Sequence, residues 1–245
     1  MQDGSSGKTK RPSSFWRELP ILVVIALGLA FLLKTFLIQA FYIPSGSMES
    51  TLQVGDRVMV NKLAYRLGDI QRGDVIVFNG VDSWDPEIEV AQTGNVITRG
   101  LQSVAGAFGF ATPSEKDYIK RVIALPGDRV KCCDKDDRLT VNGVPIDEPY
   151  LFEGNKPSND PFDIRVPGER LWVMGDHRSA SSDSRAHIGD PGGGSIPIDS
   201  VVGRAFVIIW PFSDTGFLTR PDTIDNDEID VAQTDEQIEQ ESSSK

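Results

Sequence analysis

The chain begins with a polar stretch and then changes character abruptly. From Leu19 to Leu33 no charged residue occurs, and after Lys34 and Thr35 the apolar pattern resumes with Phe36, Leu37 and Ile38. About twenty helical residues cross the roughly 30 Å of hydrocarbon in a bilayer. The stretch meets that length if Lys34 snorkels toward the nearer interface. Apolarity on every face distinguishes it from a surface helix, which keeps one polar side. The run is too long for the core of a cleaved leader, and no small-x-small site follows it. We therefore expect a permanent single-pass anchor over residues 19–38. Lys8, Lys10, Arg11 and Arg17 precede it, so positive charge places residues 1–18 in the cytoplasm and residues 39–245 outside.

After the anchor the period shortens. Asp56–Asn61, Asp74–Phe78, Arg170–Met174 and Val201–Trp210 are runs rich in β-branched and aromatic residues, bounded by polar or glycine positions. Tyr118–Leu125 ends at Pro126-Gly127-Asp128, a turn, and Leu139–Ile146 carries Asn142-Gly143, a hairpin turn. Many short strands separated by turns predict a mostly β, antiparallel domain over residues 39–221. Residues 79–117 break the rhythm. They are acidic first and glycine- and alanine-rich later, and read as a mobile insertion between two strands.

Composition changes this picture at three points. Of 245 residues, 23 are glycine and 15 proline, which suits a turn-rich body better than a helical bundle. The net charge is −11, but most of it comes from nine acids between Asp222 and Glu241, opposed only by Lys245. We read residues 222–245 as an acidic, disordered tail, since a highly charged run without aromatics cannot form a core. No basic stripe with interleaved aromatics occurs, so nucleic acid is not an expected partner. Cys132 and Cys133 are adjacent. Neighbouring cysteines do not reach ordinary disulfide geometry without a strained ring. Two reduced thiols in a turn are the plainer expectation, with a vicinal disulfide the alternative outside the cytoplasm. Two cysteines and two histidines at unrelated spacing do not make a metal site.

Three segments carry candidate chemistry. Phe41–Leu52, just beyond the anchor, contains Ser45-Gly46-Ser47 after Ile43-Pro44. A nucleophile turn needs an exposed hydroxyl beside backbone donors, and glycine permits the close approach. Asp117–Asp128 sets Lys120 among apolar strand residues, with Tyr118, Lys120 and Val122 alternating onto one face. A surface lysine fits that pattern too, but a buried one would give up its proton near neutral pH and serve as a base. Gly175–Arg185 is dense in hydroxyls, carboxylates and arginines. Such a segment is either a polar surface loop or a network that orients a catalytic side chain.

Taken in order, these segments resemble the type I signal peptidases of bacteria. The resemblance rests on Ile43–Met48 with Thr51-Leu52, Gly73–Phe78, Tyr118–Arg121 with Leu125–Asp128, and Gly175-Asp176 with Ser181 and Asp183–Arg185. It covers about residues 19–212 apart from the insertion. It implies a membrane-bound serine endopeptidase that needs no cofactor or metal and removes signal peptides from exported preproteins. Ser47 would be the nucleophile and Lys120 the general base of a Ser-Lys dyad. The Ser45 hydroxyl and the Ser47 N–H would form the oxyanion hole. Ser181 would orient Lys120, and Asp183 and Arg185 would form a supporting ion pair. Phe41, Ile43, Pro44 and Ile119 would line shallow pockets, so cleavage would follow small-x-small sequences such as Ala-x-Ala. Membrane lipid is the other implied partner. Two departures stand out. His177 occupies a position where the family carries asparagine, and no direct role is expected of it. Glu49-Ser50 replaces a residue-proline pair before Thr51-Leu52.

Other readings fit less of the chain. A cytosolic repressor-type Ser-Lys protease would not need the apolar segment. A β-lactamase-like enzyme needs Ser-x-x-Lys on a helix, and that spacing occurs only at Ser5–Lys8 and Ser242–Lys245. A Ser-His-Asp hydrolase would have to use His177 or His187, and the chain has no Gly-x-Ser-x-Gly elbow. A non-enzymatic tethered β module leaves the Ser-Gly-Ser and Tyr-Ile-Lys-Arg segments without a purpose.

Overall fold

The computed structural model describes residues 15–81, 83–84, 116–224 and 227–230. The first element is helix α1, Phe15–Phe36, with Pro20 in its N-terminal part. Pro20 is the sixth helical residue, beyond the first turn, so the helix gives up one backbone hydrogen bond there, the one to the Trp16 carbonyl. From Ile21 to Leu29 its large aliphatic side chains are exposed. The side chains of α1 are described only between Glu18 and Leu29. Among the described residues no helix is long and apolar enough to cross a membrane.

The rest is mostly antiparallel β structure, as the alternating pattern predicts. The strands are β1 (Ile38–Tyr42), β2 (Arg57–Asn61), β3 (Val75–Asn79), β4 (Asp117–Ala124), β5 (Arg129–Cys132), β6 (Leu139–Val141), β7 (Val144–Pro145), β8 (Phe162–Arg165), β9 (Arg170–Met174), β10 (Ile196–Pro197), β11 (Val201–Trp210) and β12 (Gly216–Phe217). A large sheet runs β1-β2-β11-β3-β4-β9-β10, with β12 paired to β11. A smaller sheet runs β7-β6-β5-β8. Strands β1, β5, β8, β10 and β12 were not expected from the sequence. β1 hides because it follows the apolar segment directly, and its pairing with β2 sets Phe41 opposite Val58.

Strand β4 is the axis of the molecule. It pairs with β3, Ile76 opposite Lys120 and Val75 opposite Arg121, and with β9 on its other side. Packing covers both of its faces from Lys120 to Ala124. One apolar cluster lies under the Ser47 turn and includes Phe41, Ile43, Met48, Leu52, Val75 and Val77. A second joins the two sheets through Ile123, Val130, Leu139, Val141 and Trp172. A third gathers Ile76, Phe78, Trp84 and Leu171 around the far end of β3.

The insertion leaves the sheet between β3 and β4, and Asn79 pairs with Asp117 at its base. Residue 82 and residues 85–115 lie outside the described residues, and the mobility expected of this segment concerns them. The hairpin at Asn142-Gly143 forms as predicted, both residues taking positive φ.

Two expectations change. Cys132 and Cys133 are joined in a vicinal disulfide at the end of β5, not left as free thiols. The start of the acidic tail is docked. Ile224 and Ile229 are buried in the cluster between the sheets, and Asp230 pairs with buried Arg72 at 2.6 Å. Arg72 also binds Asp128 through two hydrogen bonds. The tail cannot build a core of its own, but it adds two isoleucines to one that already exists. Residues 225–226 and 231–245 lie outside the described residues.

Candidate active site

Ser47 sits in a single 3-10 turn, Gly46–Met48, that follows β1. The turn is pinned from below by Met48 and Leu52, both fully buried. Glu49 N–H donates to the Gly46 carbonyl at 3.1 Å and Leu52 N–H to the Met48 carbonyl at 2.7 Å. Lys120 projects from β4 and brings its Nζ to 2.9 Å from Ser47 Oγ. Its other hydrogen-bond partner is the Ile119 carbonyl, at 3.0 Å.

Lys120 is only 4% exposed, and among the described residues no carboxylate forms an ion pair with it. Burial penalises the ammonium form and lowers the pKa to about 8, against a weaker upward pull from Asp183 and Asp176. Each of those carboxylates is already neutralised by an arginine. Asp183 pairs with Arg185 at 2.8 Å. Burial pushes the Asp183 carboxyl up, but the hydrogen bonds and charge of Arg185 outweigh it and leave the pKa below the usual value. Asp176 is held at both oxygens by Arg121. The Lys-Arg pair therefore places two cations inside the protein with opposite fates. Arg121 is neutralised by a carboxylate, while Lys120 faces a hydroxyl and so holds its proton loosely.

The other expected residues fall around this centre. Ser45 precedes the turn, exposed and extended, and its side chain does not cap the turn. Pro44 is exposed. Phe41 and Ile43 are 6% and 1% exposed, with Ile119 packed against them. They are packed into the apolar cluster with Met48 and Leu52 and leave little of their side chains at the surface. The Asp183–Arg185 ion pair is present, and Asp183 also accepts from Gly175 N–H at 2.9 Å. Ser181 does not form the expected hydrogen bond to Lys120. Its Oγ is buried with no hydrogen-bond partner of normal geometry, close enough to Asp183 to help hold that carboxylate's pKa down. Gly175 lies against both serines: a Cβ there would sit 2.5 Å from the Ser47 carbonyl oxygen and collide with Ser181 Oγ.

Sequence reasoning did not assign the network behind Ser47 and Lys120. Arg121 Nη1 donates to the Gly73 carbonyl at 2.9 Å and Nη2 to Thr51 Oγ1 at 3.1 Å. Thr51 Oγ1 in turn donates to Asp176. The guanidinium lies 4.1 Å from the centroid of the Tyr150 ring. One arginine thus ties the Gly73 turn, the segment after Ser47 and the loop after β9 into a single unit. Thr51, Gly73, Arg121 and Asp176 all fall within the ordered segments, but a pattern of residue types does not show which of them meet. Arg178, buried, pairs with Glu148, a partner nothing in the sequence marks.

A Ser-His-carboxylate chain also occurs. His187 Nε2 is 3.2 Å from Ser182 Oγ, and its Nδ1 is 2.6 Å from Asp190. The ring stacks on Trp84. The Asp190 side chain is 43% exposed, whereas a carboxylate that sustains an imidazolium does so from a buried position. This chain staples a loop.

The geometry is that of a buried amine set against a serine hydroxyl, and the comparisons agree with it. The family model described as signal peptidase, peptidase S26, matches residues 16–210. The chain is 43% identical over 237 residues to signal peptidase I of Mycobacterium tuberculosis (strain H37Rv), covering 87% of this chain and 80% of the relative. It is 41% identical over 233 residues to a probable signal peptidase I of Mycobacterium leprae, covering 84% and 80%. It is 30% identical over 213 residues to signal peptidase I T of Bacillus subtilis, covering 84% and 91%. The chain belongs to the S26 signal peptidase family of serine endopeptidases.

Proposed function

We propose that the chain removes N-terminal signal peptides from exported preproteins, with Ser47 as nucleophile and Lys120 as general base. The observation that carries this reading is the 2.9 Å approach of a buried lysine, unpaired with any described carboxylate, to a serine hydroxyl. In the neutral form Lys120 Nζ accepts the Ser47 proton as Oγ attacks the scissile carbonyl carbon. The carbonyl becomes an oxyanion, received by the Ser47 N–H and the Ser45 hydroxyl. The C–N bond then breaks as the ammonium of Lys120 returns the proton to the leaving amine. Water, deprotonated by the same amine, hydrolyses the acyl-enzyme and frees Ser47.

Specificity follows from the apolar packing beside the Ser47 turn. Phe41 and Ile43 are packed into the core below it, so a substrate side chain finds a shallow apolar surface and little depth. Alanine and similarly small residues suit such a surface, and cleavage after small-x-small sites follows. The proposed setting is a membrane, with α1 as the anchor, residues 1–18 on the cytoplasmic side and the sheets outside. The exposed aliphatic side chains of α1 support it, and so does an aromatic tip at the end of β11. There Trp210, Phe212 and Phe217 are exposed together, a grouping suited to a lipid interface.

The test is cleavage of a synthetic Ala-x-Ala precursor by the detergent-solubilised chain. Ser47→Ala should be inactive, while Ser45→Ala should retain cleavage at a rate roughly 10²–10³ lower. An active Ser47→Ala variant would overturn the assignment.

A further inference from the structure

The nucleophile segment holds a backbone shape that its own residues do not favour. Met48 to Thr51 form a type II turn. Glu49 has φ −56° and ψ 146°, Ser50 has φ +90°, and Thr51 N–H donates to the Met48 carbonyl at 3.0 Å. The third position of such a turn belongs to glycine, because a Cβ at positive φ crowds the backbone. Proline, which the family pattern carries at this point, is locked near −65° and cannot adopt it. Turn chemistry alone does not keep Ser47 in place.

His177, from the loop after β9, reaches the segment twice. Its N–H donates to the Ser47 carbonyl at 3.1 Å. Its Nδ1 lies 2.9 Å from Glu49 Oε2. Its ring is fixed by stacking on Phe152, with centroids 3.9 Å apart and planes 12° apart. Phe152 N–H in turn donates to the Asp176 carbonyl at 3.1 Å. Glu49 folds back across Gly46, so that a Cβ on Gly46 would lie 2.8 Å from the carboxylate carbon. The carboxylate thus presses on the residue between Ser45 and Ser47, and His177 holds it there.

We propose that Glu49 and His177 are a positioning pair for the nucleophile turn. They fix the Ser45–Ser47 backbone so that Ser47 Oγ stays within reach of Lys120 while the Ser45 hydroxyl and Ser47 N–H face one point. Neither residue touches the reacting atoms. The proposal rests on the Ser47–Lys120 reading and adds to it the contact that holds the turn in place. Both side chains are partly buried, so water screens the contact less than it would on an open surface.

A double-mutant cycle on the full chain tests this, using the Ala-x-Ala precursor and reading kcat and KM separately. Small displacements of a reacting group are costly. Glu49→Ala and His177→Ala should each lower kcat about tenfold and leave KM within about twofold. The double variant should be no worse than the weaker single, because both substitutions break one contact. Glu49→Gln keeps an acceptor for an Nδ1–H and should lose less than Glu49→Ala. Unchanged kcat in the singles, losses that multiply in the double, or an effect confined to KM would each overturn the proposal. If either alanine variant fails to fold, the same cycle run with Glu49→Met, which keeps the length but no acceptor, and His177→Phe, which keeps the stack on Phe152 but no ring nitrogen, decides it. Ser47→Ala is assayed in parallel. Activity in that variant refutes the dyad itself, which is a different outcome from failure of the cycle.

Discussion

Lys120 Nζ lies 2.9 Å from Ser47 Oγ, although 73 positions separate the two residues in the chain. Burial brings the amine's pKa down to about 8. In the proposed mechanism the neutral amine is the active form, so kcat/KM should rise with pH along an acid limb centred near that value. Lys120→Arg should be inactive across the range, because a guanidinium stays protonated. A profile flat from about pH 6 to 9 would show that another group takes the proton.

The same burial costs stability. A free lysine keeps its charge up to about pH 10.4, whereas Lys120 loses it near 8 in the folded protein. Between those values the unfolded chain binds more protons, so stability rises with pH through this window. Below it, the folded protein carries the full cost of a buried ammonium. Lys120→Met should therefore be inactive yet more stable below pH 8, by about 3 kcal/mol if the whole shift is expressed. The gain should shrink toward pH 10.5. Urea unfolding at several pH values measures it.

Ser50 occupies a glycine position with φ +90°. Ser50→Gly relieves crowding but loosens the unfolded chain, and the net effect should be a gain of up to about 1 kcal/mol. Ser50→Pro, which locks φ near −65°, should destabilise the fold and reduce cleavage. Thermal midpoints of the two variants should move in opposite directions.

Gly175 has no room for a side chain between Ser181 and the Ser47 carbonyl. Gly175→Ala should displace both Ser181 and the Ser47 turn, since the added Cβ meets each of them. It should lower kcat by at least about 10² while costing a few kcal/mol at most, as overpacking does. Near-normal turnover would mean that the turn can shift without consequence.

Truncation separates the two parts of the tail. A chain ending at Pro221 loses Ile224 and Ile229 from the core and Asp230 from Arg72. Two buried isoleucines alone are worth about 3 kcal/mol or more. A chain ending at Asp230 retains all three contacts and should unfold at the full-length midpoint. Equal midpoints for the two truncations would refute a structural role for this segment.

Much of the architecture was legible in the sequence because it rests on local rules. Period-two runs located β2, β3, β4, β9 and β11. Asn142-Gly143 marked its hairpin, since those residues tolerate positive φ. The order of the motifs brought Ser47, Lys120, Asp183 and Arg185 forward as a set. The tail was misjudged because its charge density hid two isoleucines that only a distant cluster could accept. The cysteines were misjudged because no spacing rule governs adjacent thiols.

What tertiary structure alone decided is which groups meet, and at what protonation. Composition does not distinguish Lys120 from Arg121, since each is a cation on one face of an apolar strand. The fold places Asp176 against Arg121 and a serine against Lys120. Burial without a counter-ion among the described residues then lowers the proton affinity of the second, because desolvation of a charge depends on the whole surrounding volume. The Glu49–His177 contact joins residues 128 positions apart and has no local signature. Sequence determines what each segment can become, through propensities that act over a few residues. Contacts across the fold determine what its side chains do, because proton affinity and position are set by neighbours that the chain brings together only on folding.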